Sequence, residues 1–128
     1  MSHAAKPVVI TCALTGVLTD PGQHRVPVTA AEMAAACAEA RDAGATVVHC
    51  HYRQQAPGMG RFPTWDPEVV AEIDAAIMHL YGLERDEVEH VLDSFPVLRK
   101  YEERDFGEFR TKRLTLELYD RMAEAASD

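Results

Sequence analysis

A chain of 128 residues, 47% apolar and 27% charged, has the composition of a soluble globular protein. Its length predicts one compact domain, too short for a barrel of typically about 250 residues. The formal charge is −8: residues 1–72 hold five Lys/Arg against seven Asp/Glu, residues 73–128 eight against fourteen, so −6 falls in the second part. An acidic balance argues against non-specific nucleic-acid binding. No apolar run is long enough to span a membrane and no leader pattern opens the chain, so a cytoplasmic protein is expected. Cys12, Cys37 and Cys50 form an odd set without a paired motif and read as reduced core residues.

In chain order, Pro7-Val8-Val9-Ile10-Thr11-Cys12-Ala13-Leu14 is a nearly continuous apolar run, as for a strand buried on both faces. Thr19-Asp20-Pro21-Gly22 is a turn cluster. Thr29, with Glu32 three residues on, forms a capping box that starts a helix over 30–43, and Gly44 stands where it should close. Ala45-Thr46-Val47-Val48-His49-Cys50-His51 is the next strand, so the order is strand, helix, parallel strand. Alternation puts His49 and His51 on one face and Cys50 on the other. Two imidazoles so placed can converge on one divalent ion, although they are only half of a zinc site. His24, Asp20, His79 and Glu72 are candidate further ligands that no spacing places; a buried structural pair is the alternative. Arg53 follows at the carboxyl end of the strand, where α/β folds place their ligands. It is a candidate to hold a substrate carboxylate, against the plainer reading of an exposed loop arginine.

These residues carry a resemblance. Val9-Ile10-Thr11-Cys12-Ala13-Leu14-Thr15-Gly16, Pro27-Val28-Thr29 and the stretch 43–53 resemble the amino-terminal end of the β-keto acid cleavage enzymes, and 60–72 with Pro63-Thr64-Trp65-Asp66-Pro67 continues the likeness. The resemblance implies a zinc-dependent (β/α)8 barrel. Such an enzyme converts a β-keto acid, for example 3-keto-5-aminohexanoate, and acetyl-CoA to acetoacetate and a new CoA thioester. It makes His49 and His51 the family's two zinc histidines. Its reach ends near residue 72, about a quarter of such a barrel. The family's third ligand, a glutamate, and its catalytic aspartate and arginine have no counterpart in this chain.

Asp66-Pro67 starts a helix reaching about residue 81, a short helix fits 86–93, and Phe95-Pro96 breaks it. A last helix runs from about 106 or 108 to 125, with Leu114, Leu118 and Met122 along one face. The expected fold class is therefore α/β: a βαβ unit over 1–65, a partial TIM-barrel piece, followed by a three-helix segment over 66–128 packed on it. A two-stranded parallel sheet with free edges is marginal, so either the helical segment covers it or chains pair as homo-oligomers.

Ile73-Asp74-Ala75-Ala76, His79-Leu80-Tyr81-Gly82-Leu83, Val91-Leu92-Asp93-Ser94-Phe95-Pro96 and the stretch 106–114 resemble the carboxy-terminal tail of restriction–modification adenine methyltransferases, over about 71–121. No Asn- or Asp-Pro-Pro-Tyr/Phe motif and no glycine-rich methyl-donor loop occurs. Together the two resemblances imply a chimera with its seam at Val70-Ala71-Glu72-Ile73.

Two functions follow, and the sequence assigns no catalytic residue to either. The first is a small acidic, non-catalytic protein that binds a basic protein, an inhibitor or antitoxin-like neutraliser. Glu84, Asp86, Glu87, Glu89, Glu102, Glu103 and Asp105 would be its contact residues. The alternative is a remnant of the β-keto acid cleavage enzyme, with Zn2+ on His49 and His51 acting as Lewis acid.

Overall fold

The computed structural model describes residues 7–127. The α/β class is as expected. β1 (Thr11–Ala13) and β2 (Val47–His49) pair in parallel, with Thr11 opposite Val47 and Ala13 opposite His49. The ladder is prolonged by the amides of Thr46 and Val47 donating to Ile10 O and by Leu14 N donating to His49 O. Between the strands runs α1 (Ala30–Asp42). Its capping box forms as read: Glu32 N donates to Thr29 Oγ1, while the Glu32 carboxylate accepts from the amides of Val28 and Thr29. Those amides hold the Glu32 carboxyl below its usual range.

Four helices follow, one more than expected: α2 (Pro67–Leu80), α3 (Arg85–Asp93), α4 (Pro96–Phe106) and α5 (Arg110–Ala125). The missed element is α4. Pro96 stops α3, but it also occupies the first turn of a new helix, where the absent N–H costs nothing. Periodicity does not announce α4, because Val97, Leu98, Tyr101 and Phe106 all stay exposed and Glu102 is its one buried residue. Gly107 ends it in the left-handed conformation, φ 76°, which glycine adopts without strain.

α2 is the hinge of the packing, lying against α1 on one side and α5 on the other. Ile73 joins Ala30, Met33 and Cys37 in one core, against which Leu14, Val48, Cys50 and Tyr52 pack. Ala75 joins Val88, Leu92, Leu116 and Tyr119 in the other. The expectation of strands buried on both faces is not met: Val8 is 75% exposed, Val9 70%, and Ile10 and Val47 are exposed as well. Residues 7–10 precede β1 and lie outside the helices' cover, and within the strands only one face of the sheet is packed.

Candidate functional site

His49 is exposed and His51 half-buried at the carboxyl end of β2, on the uncovered face. Their Nε2 atoms lie 3.2 Å apart, with the rings edge to face at 84° and centroids 4.9 Å apart. Without an ion this is a hydrogen bond in which one Nε2 donates and the other accepts. With one, two nitrogens each about 2.05 Å from the ion and 3.2 Å apart subtend about 100° there, close to tetrahedral. The pair therefore fits two positions of a zinc centre.

A third ligand does not join it: among the described residues no three His, Cys, Asp or Glu side chains gather at metal-binding distance. The four candidates are engaged or remote. Asp20 Oδ1 accepts from Gly22 N in its own turn. His79 Nε2 donates to Tyr119 O at 2.8 Å and its ring stacks on Tyr119, 3.8 Å between centroids. His24 and Glu72 are exposed outside any such group. Cys50 faces the core as alternation requires, and burial pushes its thiol up, away from thiolate chemistry.

Arg53 is where sequence reasoning most needs correction. It is not an exposed loop arginine: its exposure is 0%. Nη1 donates to the carbonyls of Thr19, Gly60 and Arg61, and Nη2 to those of Thr15 and Gly16. Five backbone acceptors from two loops converge on one guanidinium, which ties the chain after β1 to the Gly-rich chain after β2. Those acceptors take both terminal nitrogens, so the head is turned into the loops. Thr15, itself buried, completes the clamp by accepting the His51 amide on its Oγ1 at 2.8 Å. The position of the second histidine is thus set by Thr15, and Thr15 by Arg53. Neither role stands out in the sequence beyond an arginine beside a glycine-rich loop. A second unread pair lies behind the strand: Tyr52 Oη donates to Asp74 Oδ1 at 2.6 Å. Burial raises both groups' pKa above the usual values.

The acidic residues assigned to a partner surface are largely committed within the chain. Glu102 is buried, its carboxylate accepting Thr111 N at 2.8 Å and Thr111 Oγ1 at 2.7 Å. Glu89 pairs with Arg85 and Lys112, Glu103 with Arg99, and Asp105 with Arg104. Glu87 accepts from Glu84 N at the start of α3. Asp86 is exposed in the first turn of α3. Among the described residues no helix is long and apolar enough to cross a membrane.

The beta-keto acid cleavage enzyme family matches residues 7–81. The 3-dehydrocarnitine:acetyl-CoA trimethylamine transferase of Rhizobium meliloti (strain 1021) is 48% identical over 52 residues, 40% of this chain and 17% of that protein. The alignment thus spans less than a fifth of this relative's length. No solved structure matches. These findings overturn the inhibitor or antitoxin reading, since both the family and the relative are named for enzymes. Nothing supports the methyltransferase tail or the chimera. The expected seam at Val70-Ala71-Glu72-Ile73 falls inside the match, which runs on through α2 to Tyr81. By a match over more than half of its residues, the chain belongs to the beta-keto acid cleavage enzyme family.

Proposed function

We propose that this chain carries the metal-binding end of a β-keto acid cleavage site, with His49 and His51 as ligands of a divalent ion, Zn2+ by the choice of imidazole nitrogen. One observation carries the reading: the two Nε2 atoms sit 3.2 Å apart, a separation that suits tetrahedral coordination. The reaction class is acyl exchange between a β-keto acid and acetyl-CoA, which yields acetoacetate and a new acyl-CoA. Bound there, the ion would act as a Lewis acid toward the keto acid's carbonyl oxygen. The chain's own residues orient the pair. Leu14 N bonds His49 O, Thr15 Oγ1 takes the His51 amide, and Arg53 holds both loops beside them. Arg53 acts here as a positioning residue.

Metal content decides the matter. Untagged protein analysed for elements should carry about one zinc per chain, and the His49→Ala/His51→Ala variant none. Zinc absent from both, or unchanged in the variant, overturns the assignment. With zinc present, acetyl-CoA-dependent release of acetoacetate from β-keto acids tests the reaction separately.

A further inference from the structure

A cleft of about 490 Å³ opens on the opposite side of β2, among α2 and the helices that follow it. That is within the range of ligand sites, roughly 300–1,000 Å³. Its walls are apolar: Trp65, Val70, Met78, Leu92, Phe95 and Phe109. Trp65 is 77% exposed, Phe95 is exposed and Leu98 is 40% exposed at the same cleft, so large apolar side chains stand open to water there.

The charged groups on the wall differ in how far they are satisfied. The Glu102 carboxylate is taken up by Thr111, and the Asp74 carboxyl accepts the Tyr52 hydroxyl in surroundings that favour its neutral form. Arg110 is the one left over. Its guanidinium stacks on Phe106, 3.9 Å from the ring centroid, and makes no ion pair among the described residues. Glu108, whose charge reaches it, is bonded through both oxygens to Arg113. The Nε–H of Arg110 is buried without an acceptor. Buried donors are satisfied in the great majority of cases, and a guanidinium is a carboxylate's best-fitting donor.

We propose that this cleft binds a small organic carboxylate with an apolar body, the Arg110 guanidinium taking the carboxylate and the Trp65, Phe95 and Phe109 rings sheathing the tail. Eight of its fourteen lining residues lie outside residues 7–81, and neither histidine of the pair lines it. Trp65 is the only tryptophan in the chain, so its emission reports the cleft directly. Titration of the full chain with sodium octanoate should give a saturable blue shift. Arg110→Gln should weaken it at least about tenfold, and Leu98→Glu, which sets a like charge at the lip, should weaken it similarly. Octylammonium chloride should give no saturable shift. Circular dichroism confirms that each variant is folded; if Arg110→Gln is not, Leu98→Glu decides. Absence of a saturable shift overturns the proposal. So does undiminished octanoate binding by either folded variant, or equal binding of octylammonium. The His49→Ala/His51→Ala protein should bind octanoate as the parent does, so the two proposals fail independently.

Discussion

Replacing Arg53 by Met keeps most of the side chain's length and removes every donor. Five carbonyls then lose their partner, but they do not weigh equally. The bonds to Thr15 O and Gly60 O are buried, whereas those to Gly16, Thr19 and Arg61 are only partly so, and water can reach these acceptors again. An unmet buried acceptor costs about 1–3 kcal/mol, so the two together predict a loss of about 4 kcal/mol. That is a large part of the 5–15 kcal/mol typical of a domain. The loss should be local before it is global, because this head group makes most of the hydrogen bonds between the loops after β1 and β2, leaving the Thr15–His51 bond and Gln55 Nε2 donating to Val28 O. Urea unfolding followed at 222 nm measures the first part, and hydrogen exchange at the His51 amide, expected to quicken most, the second. Arg53→Lys should recover only part of the stability, since one ammonium offers three donors from a point and cannot span both loops. A loss below about 1 kcal/mol for Arg53→Met, with His51 exchange unchanged, would refute the idea that this guanidinium holds the site together.

Asp74 provides a test by pH. Burial raises its carboxyl above the ordinary 3.8, so the folded state favours the protonated form more than the unfolded chain does. Its contribution to stability is full below about pH 3.8 and is lost as pH rises through the folded value. Asp74→Asn keeps an oxygen for Tyr52 and removes that dependence; its stability relative to the parent should therefore increase between pH 4 and pH 7.5, and a constant difference in urea midpoints would contradict the sign. Glu102→Ala strips the start of α5 of its acceptor and should cost about 2 kcal/mol, read as a fall in the melting temperature of the helical signal. A surface residue in a partner interface would change stability by no more than about 0.5 kcal/mol.

What was readable in the sequence is what depends on local chemistry. The capping box at Thr29 and Glu32, the Asp66-Pro67 start of α2 and the convergence of His49 with His51 each follow from residues no more than three apart. What was not readable depends on long-range pairing. Arg53 meets carbonyls 7 to 38 residues away, and nothing within a few residues of it distinguishes a strut from a loop arginine. Glu102 looks like one of a run of solvated acids, yet the turn at Gly107 folds it back onto Thr111. The apolar run 7–14 reads as a fully buried strand because composition reports hydrophobicity and not cover: the helices cover only one side.

That one-sided cover also orders the chemistry. Along 48–52 the residues alternate: Val48, Cys50 and Tyr52 pack into the core beside Met33, Cys37 and Ile73, while His49 and His51 project to the uncovered face. Tyr52 is bonded to Asp74 on α2 and lines the apolar cleft; His51 pairs with His49 across the strand from it. A single backbone segment therefore presents the paired imidazoles on one side and an apolar, arginine-tipped cleft on the other. The two sides meet at their margin: His51 lines a pocket of about 380 Å³ with Tyr52, Trp65 and Val70, and these last three also line the cleft. Arg53→Met is then the substitution that should loosen the histidine pair while leaving octanoate binding near its parental strength.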